Sequence, residues 1–167
     1  KSAPAAQVAA LAAAERDLLR PEIVRVHLGS ARHGQSSDRP LDLELMAAAL
    51  HELSARDLQL AVSFEGGEPL RHPRFEQAVE VARKAGAVSV HVRTELLGDH
   101  DAERLLSQRP DVISIDMHAD SEITYRSLRG IDGLQAVRDR VARLLEARTT
   151  CEDGLVDLWV VPRITRR

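Results

Sequence analysis

Apolar and polar residues alternate with a period of two in five short runs along the chain. Residues 23–28 set Val24, Val26 and Leu28 against Arg25 and His27. Residues 58–65 set Leu58, Leu60, Val62 and Phe64 against Gln59, Ala61, Ser63 and Glu65. Residues 88–94 oppose Val90 and Val92 to His91 and Arg93, and residues 111–117 oppose Ile113, Ile115 and Met117 to Ser114 and Asp116, with His118 next on the polar side. A fifth run, 155–161, carries Asp157 on one face. Period-two alternation predicts strands. Between the runs the apolar spacing lengthens to that of a helix, over 41–55, 74–85, 100–108, 121–130 and 134–148. Asp42 is placed to cap the first of these, Gly86 to end the second, and Pro110 to bound the third.

This alternation of strand and helix implies parallel strands joined by right-handed crossovers. The fold class is therefore α/β, a partial (β/α) barrel of about five βα units; the same alternation also permits an open flavodoxin-like sheet. Strands covered by helices on both sides read as continuous apolar runs. These strands have one polar face each. If their apolar faces pack under the helices, Arg25, His27, Ser63, Glu65, His91, Arg93, Ser114 and Asp116 line a shared interior. Such groups must pair, bind a ligand or meet water, because an unpaired buried charge is costly. The C-terminal ends of the strands are where a (β/α) scaffold carries its ligand site.

Residues 5–19 form a separate alanine-rich helical stretch, with Ala5, Val8, Leu11, Ala12, Leu18 and Leu19 as its apolar stripe and Pro21 as its stop. The expected organisation is a helix or linker over 1–20 and the partial barrel over 21–167, cut from a larger protein with flanking domains.

Composition narrows the function classes. The formal charge of −3 provides no basic footprint for nucleic acid. No apolar run reaches the length of a membrane span. With one cysteine no internal disulfide can form, which fits a reducing, cytoplasmic compartment. Aromatic residues make up 2% of the chain, so the core must be built from Leu, Val, Ile and Ala.

The second strand run ends abruptly at Gly66-Gly67, followed by Glu68-Pro69. Paired glycines allow positive φ and a close approach of another molecule to the main chain. Pro69 holds Glu68 extended. The carbonyls of such a loop can accept hydrogen bonds from an ammonium group.

The longer string Phe64-x-Gly-Gly-Glu-Pro-Leu-x-x-Pro73 resembles the glycine-glycine-glutamate-proline motif of the radical S-adenosylmethionine superfamily. Thr94 stands where that family has its Thr-Asn-Gly strand end, although Glu95-Leu96 follow here. Ile113-Ser114-Ile115-Asp116 resembles the family's fourth strand, and Tyr125-Arg126-Ser127-Leu128-Arg129-Gly130 the helix end after it. The likeness spans roughly residues 22–162 and is best with the SPASM-type branch. The resemblance implies that Gly66, Gly67, Glu68 and Pro69 hold the methionyl end of S-adenosylmethionine. It places Thr94 near the cavity floor, and Ser114 with Asp116 near the ribose.

The first-strand loop departs from that pattern. It should carry three cysteines that ligate a four-iron cluster. Residues 29–38 read Gly-Ser-Ala-Arg-His-Gly-Gln-Ser-Ser-Asp, and the only cysteine is Cys151. Serine keeps its hydroxyl proton near neutral pH and is a poor substitute for a thiolate. An iron–sulfur cluster is not expected, and enzyme activity is left open, with no catalytic residue assigned.

Three readings follow. A degenerate radical-SAM-like domain binds S-adenosylmethionine, or a peptide or small molecule, in a polar trough. A non-catalytic module positions a partner. A metal-dependent (β/α) enzyme uses His27, Glu65, His91, Asp116 and His118 as ligands, although no local spacing diagnoses a metal and none is assigned.

Overall fold

The computed structural model describes residues 23–29, 40–55, 60–150 and 159–163. Five parallel strands, β1 (Ile23–Val26), β2 (Ala61–Phe64), β3 (Ser89–Thr94), β4 (Val112–Asp116) and β5 (Trp159–Arg163), lie side by side in sequence order. Helices α1 (Leu43–Ser54), α2 (Phe75–Lys84), α3 (Asp101–Gln108), α4 (Glu122–Arg129) and α5 (Leu134–Thr150) fill the crossovers. The order β1-β2-β3-β4-β5 is that of a barrel unrolled, and it excludes the flavodoxin-like alternative, whose strand order is interrupted. The sheet is open, and the fold is a partial (β/α) barrel.

The apolar faces of β1 to β4 face the helices. Val26, Val62, Phe64, Val90, Val92, Ile113 and Ile115 form one core with Met46 and Leu50 of α1, Phe75, Ala78, Val79 and Ala82 of α2, Leu105 of α3 and Val137 and Leu144 of α5. Each such aliphatic side chain stabilises the fold by about 1.5–3 kcal/mol when taken out of water. The two phenylalanines meet within it: Phe64 and Phe75 are edge-on with ring centroids 6.2 Å apart.

Helix ends follow the expected chemistry. Asp42 accepts from the Glu44 amide, and Ser121 does the same for Thr124 at the start of α4. Gly130 ends α4 in the left-handed conformation, φ 72°. Gly86, also at positive φ, follows α2. Two expectations shift. The described part of the fifth strand begins at Trp159 and runs through Pro162 to Arg163; residues 155–158, with Asp157, lie outside the described residues. Pro162 is tolerated because a strand at the sheet edge needs no second partner for its nitrogen. The fourth strand stops at Asp116, so the alternation does not carry on to His118, which turns away at φ 60°. The helix expected over residues 5–19 lies outside the described residues.

Candidate functional site

The polar strand faces come together as two cross-strand rungs. Register decides the first. Ser63 is opposite His91, and Arg93 is opposite Ser114. His91 therefore lies between two serines: Ser63 Oγ is 2.8 Å from its Nδ1 and Ser114 Oγ is 2.9 Å from its Nε2. One rung higher, Arg93 donates through Nε to both oxygens of Asp116, at 3.1 and 3.0 Å, and through Nη2 at 2.9 Å. Its Nη1 also faces Glu65 Oε2 at 3.9 Å, and Glu65 Oε1 pairs with Arg25 Nε at 2.9 Å. The Arg25 side chain is 78% exposed, so that outer pair adds little. The bidentate pair on Asp116 is the strong member of the rung.

The double glycine takes the conformation its sequence predicts. Gly66 and Gly67 have φ of 80° and 70°. The close approach at Gly66 is used by the chain itself. A Cβ on Gly66 would lie 1.9 Å from His27 Cδ2, so the imidazole rests against this peptide. His27 Nδ1 accepts from the Gly29 amide at 3.1 Å, which fixes the ring. A Gly66→Ala variant meets both this clash and left-handed strain of about 1–2 kcal/mol. It is expected to lower the midpoint of chemical unfolding well beyond that strain. Adding His27→Ala should return the loss to the strain alone; equal losses in the single and double variants would show that the ring is not the obstacle.

Glu68 and Thr94 differ from expectation. Thr94 shares the buried strand parity of Val90 and Val92. Its hydroxyl donates to Glu68 Oε1 at 2.8 Å and accepts from the Leu96 amide at 2.8 Å. Glu68 also accepts from the Leu70 amide at 3.2 Å and, through Oε2, from the Glu95 amide at 2.6 Å. The carboxyl is thus turned into the protein, where it ties the loop after β2 to the loop after β3. Burial pushes its pKa up to about 7, against the lowering effect of the Glu95 and Thr94 hydrogen bonds. Pro69 is buried and opens a short 3-10 turn, Pro69–Arg71.

Two groups that the strand pattern did not single out complete the surroundings. Arg104 of α3 holds the underside of the loop: its Nη1 donates to the Leu70 carbonyl, its Nε pairs with Glu76 at 2.7 Å, and its guanidinium lies 5.7 Å from the Phe75 ring centroid. Glu95, 1% exposed, is paired with Arg129 of α4, and His118 Nε2 lies 3.9 Å from the same carboxylate oxygen. The sequence signal for the Glu95–Arg129 pair was present in the strings around both residues. Their distance in the chain concealed the contact.

The metal reading is not supported by this arrangement. Its five candidates are divided among separate contacts: His27 with Gly29, Glu65 and Asp116 with arginines, His91 with serines, His118 beside Glu95. Among the described residues no three His, Cys, Asp or Glu side chains are grouped to hold a metal ion.

No family model matches the chain. Among solved structures, the fold is similar to that of BtrN in its crystal structure in complex with AdoMet and 2-DOIA. The two superpose with a TM-score of 0.54 at 15% identity. The fold is radical-SAM-like. The match covers 86% of this chain and 57% of the BtrN chain, so this chain spans little more than half of that structure's length. The double glycine stands at the C-terminal end of β2, beside the polar rungs. The thiolate donors of a cluster do not fit this chain, whose single cysteine is Cys151. No redox step is derived from these residues.

Proposed function

We propose that this chain is a radical-SAM-like binding domain, which takes S-adenosylmethionine, or a peptide or small molecule, in the polar trough without cleaving it. One observation carries the reading: the polar side chains of β1 to β4 gather on a single sheet face, with two consecutive left-handed glycines at its rim. Gly67 and the carbonyls beside it are the groups to receive a ligand ammonium. Ser114 and Asp116 project from the same face and offer a hydroxyl and a carboxylate to a ribose. Glu68, Pro69 and Thr94 serve indirectly, by fixing the loop, since their polar atoms are turned to one another and to the main chain. Homolytic cleavage needs an electron from a cluster, and the loop after β1 has no cysteine to hold one.

A second reading is favoured by one specific contact. His27 fills the space beside Gly66 that a ligand would otherwise use. On that reading the barrel is a scaffold that positions flanking domains or a partner.

Calorimetric titration with S-adenosylmethionine separates the two. Binding to the parent protein, with at least a tenfold weaker Kd in Gly67→Val, about 1.4 kcal/mol or more, is the expected result. Absence of heat with both proteins favours the scaffold. Anaerobic reconstitution with iron and sulfide is expected to leave no cluster absorbance; a stoichiometric cluster would overturn the non-cleaving assignment.

A further inference from the structure

His27 directly follows β1, and the burial alternation of the strand continues through it. Val26 and Leu28 are buried and His27 between them is exposed. The ring thus leaves the sheet on the side of Arg25, at the rim of the trough, and from there it reaches Gly66. Its Cδ2 is 1.9 Å and its Nε2 2.8 Å from the place a Cβ on Gly66 would take. The imidazole occupies the space that the absent side chain leaves.

The ring is held lightly on a firm base. Among the described residues its one hydrogen bond comes from the Gly29 amide to Nδ1, at 3.1 Å. A neutral hydrogen bond of this kind has a small net worth. The backbone beneath is anchored: Leu28 is fully buried, its carbonyl accepts from the Leu41 amide at 3.0 Å, and Gly29 is buried. A turn about the side-chain bonds of His27 clears the glycine without moving β1, and exposed side chains make such turns quickly. Because Nδ1 accepts, the neutral ring carries its proton on Nε2, the ring nitrogen nearer to Gly66. An N–H donor therefore stands where the ammonium group of a ligand would approach the loop carbonyls.

We infer that His27 is a displaceable plug at this rim, whose imidazole covers Gly66 until the amino-acid end of a ligand takes its place. His27 has this role only if the trough binds S-adenosylmethionine as proposed above. A ligand with an ammonium group brings new donors to the loop as the ring departs. A ligand without one gains nothing by moving the ring. The plug thus selects for an α-amino acid end and leaves the nucleoside end of the trough unaffected.

Calorimetric titration of the full chain, parent against His27→Ala, tests this. S-adenosylmethionine should bind His27→Ala about fivefold more tightly, since the ligand no longer has to break the Gly29 hydrogen bond. Methylthioadenosine, which has the same nucleoside but no amino-acid end, should bind both proteins alike. Proton NMR of the parent gives a readout that needs no variant: the contact between the His27 ring and the Gly66 α protons should vanish as S-adenosylmethionine saturates the site. Equal affinity of S-adenosylmethionine for the two proteins, or a ring contact that persists at saturation, overturns the plug and leaves the binding reading intact. Equal tightening of both ligands would make the ring a general obstruction and overturns the plug as well. Absence of heat with both ligands and both proteins removes the binding reading, and the plug with it.

Discussion

Arg129→Ala is expected to unfold about 3 kcal/mol more easily than the parent protein, read from urea midpoints at constant slope. Glu95 is 1% exposed, and Arg129 supplies the cation against its carboxylate. Truncating the arginine leaves an anion in a site with few routes to water. His118, 3.9 Å away, can offset part of that loss only when it carries a proton. Replacing both members, as Glu95→Leu/Arg129→Met, should recover most of the stability, because a buried pair is worth far less than either half alone costs. A deficit under 1 kcal/mol in the single variant would mean that the pair is wetter than its burial indicates.

The stability of the parent protein should fall between pH 4.5 and 7 through Glu68. The folded-state pKa of this carboxyl, about 7, is above the ordinary value of 4.5. In that window the folded chain holds a proton that the unfolded chain has released. A folded pKa raised in this way gives stability that is fully present below 4.5 and lost as pH rises through 7. The loss amounts to about 3 kcal/mol across the window. His72 acts with the opposite sign, since burial, and next the Arg74 charge, lower its pKa. The informative quantity is thus the difference between parent and Glu68→Gln. The amide of the variant does not titrate, so the stability of the parent relative to the variant should be greatest at or below pH 4.5 and decline by about 3 kcal/mol as pH rises to 7. Parallel stability curves for the two proteins would remove Glu68 as the titrating group.

The strand and helix plan was legible because both periods are clean in this sequence. Val62 and Phe64 opposed to Ser63 and Glu65 mark one face for the helices and one for the trough, and the structure keeps that division. Asp42 and Gly86 were readable for the same reason, since each acts on its own neighbourhood. The errors arose where alternation gave way to a turn. Counting by twos carried His118 onto the trough face, but the strand had already ended at Asp116. Thr94 was misplaced because the family likeness gave it a role without its strand parity, which puts it beside Val92. Arg104 was invisible for a different reason. Its partners, Leu70 and Glu76, are some thirty positions away, and only the crossover geometry brings α3 under the loop.

The Ser63–His91–Ser114 contact joins residues from three strands through one ring. Its two halves close only when β2, β3 and β4 are all docked in register. A sheet of β2 and β3 alone closes only the Ser63 half, and a one-residue slip would point the imidazole into the aliphatic layer. The full pair of contacts therefore belongs to one register of three strands, which short aliphatic runs alone would not distinguish.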